Sequence, residues 1–256
     1  MLTHPTLERL HTMRLTGMAR ALEEQLEMAD IESLSFEDRL GLLVDREATE
    51  RADRRLKTRM RQAKLRLPAT IEDLDLRHPR GLDKRQILSL AGCDWIREHH
   101  NLLLTGPTGV GKTYLACALA QKACREGFTV RYLRLPHLFR DLKVAHVDGR
   151  YGKLLTRYAK TDLLALDDWG LSVLTERERR DFYEILEDRT GRRSTLLASQ
   201  LPVGKWHQVV GDPTLADAVL DRLVSSAYKI ALKGESMRRR RPQKPKTAST
   251  QQGAET

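Results

Sequence analysis

Two short stretches of this 256-residue chain carry residue types whose spacing suits chemistry on a phosphoanhydride. The first is GPTGVGKT, Gly106 to Thr113, a GxxxxGK[ST] pattern set between the apolar run NLLLT and the helical pattern YLACALAQKACREG. Gly106, Gly109 and Gly111 let the backbone turn tightly. Successive amides, with Pro107, Thr108 and Val110 filling the loop, can then converge on phosphate oxygens, and the helix start adds the positive end of its dipole. Lys112 supplies a compact cation for the β- and γ-phosphates. Thr113 offers a hydroxyl to Mg²⁺, an ion that keeps most of its waters and takes few protein ligands. The second stretch, DLLALDD at 162–168, ends an apolar strand in two carboxylates at the carboxyl edge of a sheet, where ligands of such sheets bind. Asp167 is the expected Mg²⁺ partner, through a water, and Asp168 the candidate for polarising an attacking water. The expected ligands are therefore ATP and Mg²⁺.

The elements around these stretches predict how they are held. Candidate strands are NLLLT (101–105), TVRYLRL (129–135), DLLALD (162–167), STLLAS (194–199) and KIAL (229–232). Helical patterns lie between them, including 112–126, 175–190, introduced by Thr175 with Glu178, and 213–227. This alternation predicts an α/β fold of the P-loop NTPase kind, a parallel sheet covered by helices on both faces. Before it, residues 1–66 read as a small helical domain. Leu7, Leu10, Leu15, Met18, Leu22 and Leu26 follow the helical period, and Ser35 with Asp38 resembles a capping box that starts a longer helix. Residues 67–85, broken by Pro68, Pro79 and Gly81, read as a connector; 86–236 form the ATPase domain and 237–256 a basic tail expected to be disordered.

The formal net charge of +10 is unevenly spread. Residues 51–66 hold eight Lys and Arg against one Asp, and residues 235–256 hold six against two acids, so the rest of the chain is close to neutral. Within 51–66 the spacing is helical: Ala52, Leu56, Met60 and Ala63 form a packing stripe, and Arg51, Arg54, Arg55, Lys57, Arg59, Arg61 and Lys64 occupy the remaining surface. Few acids interrupt the run, so local pairing is not expected to neutralise it. The cations are candidates for DNA phosphates. Aromatic residues are only 5%, which argues against stacking platforms for single strands and for duplex DNA held by its backbone.

Several classes drop out. The longest apolar run, Tyr114 to Ala120, is far shorter than the ~20 residues of a membrane-spanning helix, so no membrane is involved. The opening MLTHPTLERL has no secretory pattern, and a cytoplasmic location is expected. Cys93, Cys117 and Cys124 form no CxxC pair and are expected to be reduced packing residues, half-buried where Cys117 and Cys124 share a helix.

With these motifs in view, the sequence resembles the AAA+ ATPases, specifically the IstB-like transposition helper proteins of bacterial insertion sequences, relatives of DnaC-type helicase loaders. The matching stretches are RLTGMARALEEQ (14–25), FEDRLGLLVDRE (36–47), RLPATIEDLD (66–75), NLLLTGPTGVGKTYLACALA (101–120), DLLALDDWG (162–170), ASQLPVGKWH (198–207) and ADAVLDRLVSSAYKIALKGESMR (216–238). The resemblance implies an ATPase that assembles as a homo-oligomer on DNA and assists a transposase in target selection and integration. By position, Ser199 and Gln200 look like the sensor 1 site, Arg222 like the arginine finger that reaches a neighbour's nucleotide, and Arg238 like the sensor 2 arginine. Asp168 stands where the wider superfamily has Glu, one methylene longer. Three other readings use the same phosphate loop: a DnaC-like helicase loader, a small-molecule kinase, and a DNA clamp in which ATP binding drives assembly and hydrolysis is incidental.

Overall fold

A computed structural model describes residues 5–237. The chain opens with α1 (Pro5–Thr12), α2 (Thr16–Glu27) and the long α3 (Phe36–Ala63). Ser35 caps α3 by accepting a hydrogen bond from the Asp38 amide, and Lys64 ends the helix in the left-handed region. α2 lies against the first half of α3. The buried Glu47 carboxylate fixes this contact by accepting from the amides of Gly17, at 2.7 Å, and Met18, at 3.2 Å.

The second half of α3 behaves differently. Leu56 and Met60, partly buried, and Ala63, fully buried, pack against the central core, as do Leu65, Leu67, Ala69 and Leu74 of the segment that follows. Ala52, placed on the packing stripe by its spacing, is exposed. It lies one turn before the helix reaches the core.

After this segment come α4 (Lys84–Ala91), α5 (Asp94–Arg97), β1 (Asn101–Thr105), α6 (Lys112–Arg125), β2 (Val130–Arg134), α7 (Leu135–Val147), α8 (Tyr151–Lys160) and β3 (Leu163–Trp169). The chain continues through α9 (Glu176–Arg189), β4 (Ser194–Ser199), α10 (Trp206–Val210), α11 (Pro213–Val224) and β5 (Ala227–Ala231). Thr175 and Glu178 form the expected capping box at the start of α9. Two boundaries shift from the sequence reading. β5 begins at Ala227, inside the expected helix 213–227, because its pairing with β1 starts at Asn101 opposite Ala227. β3 runs on through both aspartates to Trp169.

Among the described residues the strands form one parallel sheet in the order β2-β3-β4-β1-β5. Alternate side chains point to opposite faces, and here both faces are covered, so the central strands are apolar throughout. Leu102, Leu104, Ala165, Leu196 and Ala198 face α6, α4 and the end of α3. Leu103, Leu164, Leu166 and Leu197 face α7, α9 and α11. Each wholly buried leucine contributes about 2 kcal/mol of transfer free energy. Cys93, Cys117 and Cys124 belong to the first of these cores and are fully buried, Cys117 and Cys124 where half-burial was expected.

The strand order places the chemistry. β4 is inserted between β1 and β3, so the phosphate loop after β1 and the aspartates of β3 are two strand spacings apart, roughly 10 Å at the backbone. The end of β4 stands between them.

Candidate nucleotide site

The loop from Gly106 to Gly111 joins the end of β1 to the start of α6. All three of its glycines combine close approach with positive φ, and two illustrate it. Gly106 has φ +143° and a Cβ there would lie 2.3 Å from the Leu232 carbonyl oxygen; Gly111 has φ +100° and a Cβ would lie 2.6 Å from an Arg80 guanidinium nitrogen. Any other residue at either position would have to displace its neighbour. The strand before the loop and the loop itself are tied to the C-terminal segment, because the Leu232 amide donates to Thr105 O at 2.8 Å and the Met237 amide to Gly109 O at 3.0 Å.

Lys112 opens α6 and is buried. Its ammonium donates to the carbonyls of Gly106, at 2.6 Å, and Pro107, at 2.7 Å, so the charge is folded into the loop. Thr113, the next residue, donates its hydroxyl to Asp167 Oδ2 at 2.7 Å. Asp167 is 2% exposed and also accepts from the Tyr132 hydroxyl on Oδ2, at 2.7 Å, and from the Asp168 amide on Oδ1, at 2.8 Å. Burial and the facing carboxylate push the Tyr132 phenol well above its ordinary range, so it stays a proton donor to Asp167. A threonine hydroxyl touching a carboxylate is a hard, all-oxygen pair, which fits Mg²⁺ and would supply few of its ligands.

Asp168 sits at φ +65°, where the β3–β4 register shifts between Leu166 and Trp169. Short polar residues tolerate this left-handed conformation better than most. Its Oδ2 forms an ion pair with Arg134 Nε, the last residue of β2, and that pairing raises the arginine's proton affinity. The carboxylate proposed to polarise water is therefore held by a neighbouring strand.

The two residues at the end of β4 diverge. Gln200 is exposed and accepts from Thr108 of the loop through Oε1, at 2.8 Å. Ser199 is wholly buried, donates to Trp169 O at 3.0 Å and accepts from the Leu201 amide at 3.0 Å, so its hydroxyl is used in building the turn.

Arg222 is not brought to this loop. Its carbonyl accepts from Asn101, the first residue of β1, whereas the loop follows the last, a strand length of roughly 13 Å away. Its guanidinium pairs with Glu187, bonds Tyr183 OH at 3.0 Å and lies 4.7 Å over the Tyr183 ring. Glu187 is held below the ordinary carboxylate range by this contact. Arg238 lies outside the described residues, one position after Met237.

The basic half of α3 is only partly free. Arg51 and Arg54 reach back to Glu47, Arg51 at 2.6 Å and Arg54 at 3.4 Å, so an acid just upstream of the run supplies local pairing that its composition did not reveal. Arg59 donates to Cys124 O at 2.8 Å and ties α3 to the end of α6. Arg55, Lys57, Arg61 and Lys64 are exposed.

Sequence reasoning missed three residues of the site: Tyr132, Arg134 and Arg80. Tyr132 and Arg134 carried a weak signal, being in the middle and at the end of a strand that could neighbour β3. Arg80 carried none, since it lies in the segment read as a connector.

Comparison with known proteins points to a family of ATP-binding proteins. The family described as IstB-like ATP binding protein matches residues 8–245. An insertion sequence ATP-binding protein of Sinorhizobium fredii is 53% identical over 95% of this chain and 100% of its own length. The ATP-binding protein of insertion sequence IS1162 of Pseudomonas fluorescens is 56% identical over 79% of this chain and 88% of its own. Among solved structures, DnaI aligns with a TM-score of 0.56 at 24% identity, covering 64% of this chain and 91% of its own. The DnaC helicase loader aligns with a TM-score of 0.55 at 22%, covering 67% and 100%. These last two are likenesses of fold.

Proposed function

Because the chain belongs to the IstB-like ATP-binding protein family, we propose that it hydrolyses the ATP it binds, assembles as a homo-oligomer on duplex DNA, and assists the transposase of its insertion sequence in target selection and integration. The observation that carries the enzymatic part is the contact between Thr113 of the phosphate loop and Asp167 of β3, with Asp168 beside it. The insertion sequence relatives support the biological part.

In this reading the loop amides and Lys112 bind the triphosphate, and Lys112 exchanges its two carbonyl partners for phosphate oxygens. Thr113 and Asp167 would hold Mg²⁺, Asp167 through a water, and the ion would supply neutralisation of negative charge on the phosphates. Asp168 orients the attacking water once it leaves Arg134, and Gln200 reports on the loop through Thr108. Ser199 acts as the support of that turn. Arg222 and Arg238 stabilise transferred charge, Arg222 from the neighbouring subunit, and such an arginine is worth ~10³ to 10⁵ in rate. The free cations of α3 hold DNA phosphates without reading bases. No helix among the described residues is long and apolar enough to cross a membrane, in keeping with a cytoplasmic protein.

The test is ATP turnover against protein concentration, with and without duplex DNA, using Lys112→Ala as the control. The expected result is a steep, DNA-stimulated rise. Turnover that is linear in protein and indifferent to DNA would remove the assembly reading. The likeness to the DnaC helicase loader favours one second reading, loading of a replicative helicase, and co-purification with the transposase against the helicase separates the two.

A further inference from the structure

Arg80 is 4% exposed and has no ion pair among the described residues, yet it touches the phosphate loop. Its Nη1 donates to Val110 O at 3.2 Å and its Nη2 to Asp75 O at 2.9 Å, while Nε has no hydrogen-bond partner. Its own carbonyl accepts from the Lys233 amide at 2.9 Å, so one residue joins the connector, the phosphate loop and the C-terminal segment that crosses the loop. Burial pulls the guanidinium's proton affinity down, and the nearby Asp75 carboxylate, which forms no ion pair with it, offsets only part of that. A buried charge of this kind is costly, and an anion in the adjacent loop offsets that cost.

A peptide unit is planar and trans, so its carbonyl and its N–H point in opposite directions. Pinning the Val110 carbonyl therefore also aims the Gly111 N–H, on the other side of the same peptide. Gly111 must be glycine partly because Arg80 occupies the space of its Cβ. We propose that Arg80 is a positioning residue of the nucleotide site: it orients the Val110–Gly111 peptide toward the phosphates and adds its unpaired charge to that of Lys112. The proposal rests on the reading of this loop as the ATP site and names a further residue on which its affinity depends.

The test compares Arg80→Met, which keeps the length and apolar stem but removes donors and charge, with Arg80→Lys, which keeps the charge without the fork. Affinities for a fluorescent nonhydrolysable ATP analogue and for inorganic tripolyphosphate, which has no base, are measured on the full chain below the melting temperature of each variant. Arg80→Met is expected to weaken both by about tenfold or more, the loss of one charged hydrogen bond. Arg80→Lys is expected to recover part of the loss. If Arg80→Met does not fold, Arg80→Lys decides, with a loss of about threefold expected for a cation that cannot bond both carbonyls. A lower melting temperature with wild-type affinity for both probes overturns the proposal and leaves Arg80 a packing residue. Wild-type protein that binds neither probe overturns the nucleotide reading itself.

Discussion

Arg134 at the end of β2 holds Asp168 of the adjacent β3 in an ion pair, so the carboxylate proposed to act on a nucleophilic water is engaged by a cation from its own subunit. On that proposal, water activation requires the pair to open. Arg134→Ala should raise DNA-free ATP turnover several-fold and narrow the stimulation by DNA, while Asp168→Asn abolishes turnover in either background. Unchanged DNA-free turnover in Arg134→Ala would show that the pair restrains nothing. Asp168→Glu lengthens the side chain but puts a poorer residue at φ +65°, and should cost about 1 kcal/mol in a denaturation midpoint.

Arg222 lies at the opposite end of β1 from its own phosphate loop and is paired with Glu187. Arg222→Ala should leave nucleotide affinity within about twofold and cut turnover at assembling concentrations by ~10³. Mixing Arg222→Ala with Lys112→Ala subunits should restore part of the activity, since each supplies what the other lacks. If nucleotide binding is lost instead, the cross-subunit role is wrong.

The basic half of α3 separates into cations available to DNA and three already engaged, Arg51 and Arg54 with Glu47 and Arg59 with the end of α6. Arg55→Ala, Lys57→Ala and Arg61→Ala should each weaken duplex binding and reduce the salt slope by about 0.9 for every phosphate contact removed. Arg59→Ala should instead lower stability by about 1 kcal/mol, through loss of its bond to Cys124 O, and leave the slope alone. Binding isotherms at several salt concentrations, with a urea titration, distinguish these outcomes.

Tyr132 gives Asp167 one of its three hydrogen bonds. Tyr132→Phe should destabilise the fold by about 1.5 kcal/mol and raise the Mg²⁺ concentration needed for half-maximal turnover, because a freer carboxylate is less well placed. An unaltered Mg²⁺ dependence would confine Tyr132 to a packing role.

Burial pushes the thiols of Cys93 and Cys124 up to about 11. The native protein should therefore resist iodoacetamide at pH 8 and react once unfolded. Because the folded-state value is raised above the ordinary 9.0, the associated stability is fully present below pH 9 and is lost as pH rises through about 11. Rapid native alkylation at pH 8 would contradict this burial.

Much of the site was legible along the chain. The phosphate loop is a run of consecutive residues whose function depends on local backbone geometry, so Gly106 to Thr113 announce it without knowledge of the fold. β3 could be read for a similar reason, as an apolar run ending in two acids. The distinction between Ser199 and Gln200 could not be read, because adjacent residues of a strand point to opposite sides and only the packed turn shows which one reaches Thr108.

Local order, from glycine placement, hydrophobic period and charge runs, determined the elements, the phosphate loop and the cationic half of α3. The tertiary structure alone decided which side chains those elements deliver to one another. Arg80 meets Val110 across 30 positions, Arg134 meets Asp168 across 34 and Tyr132 meets Asp167 across 35. Contacts at such separations follow from strand order and from how a connector packs, which no short window of sequence encodes. Hydrophobic burial chooses that arrangement for the molecule as a whole, and the polar partners are then whatever the arrangement brings within hydrogen-bond reach.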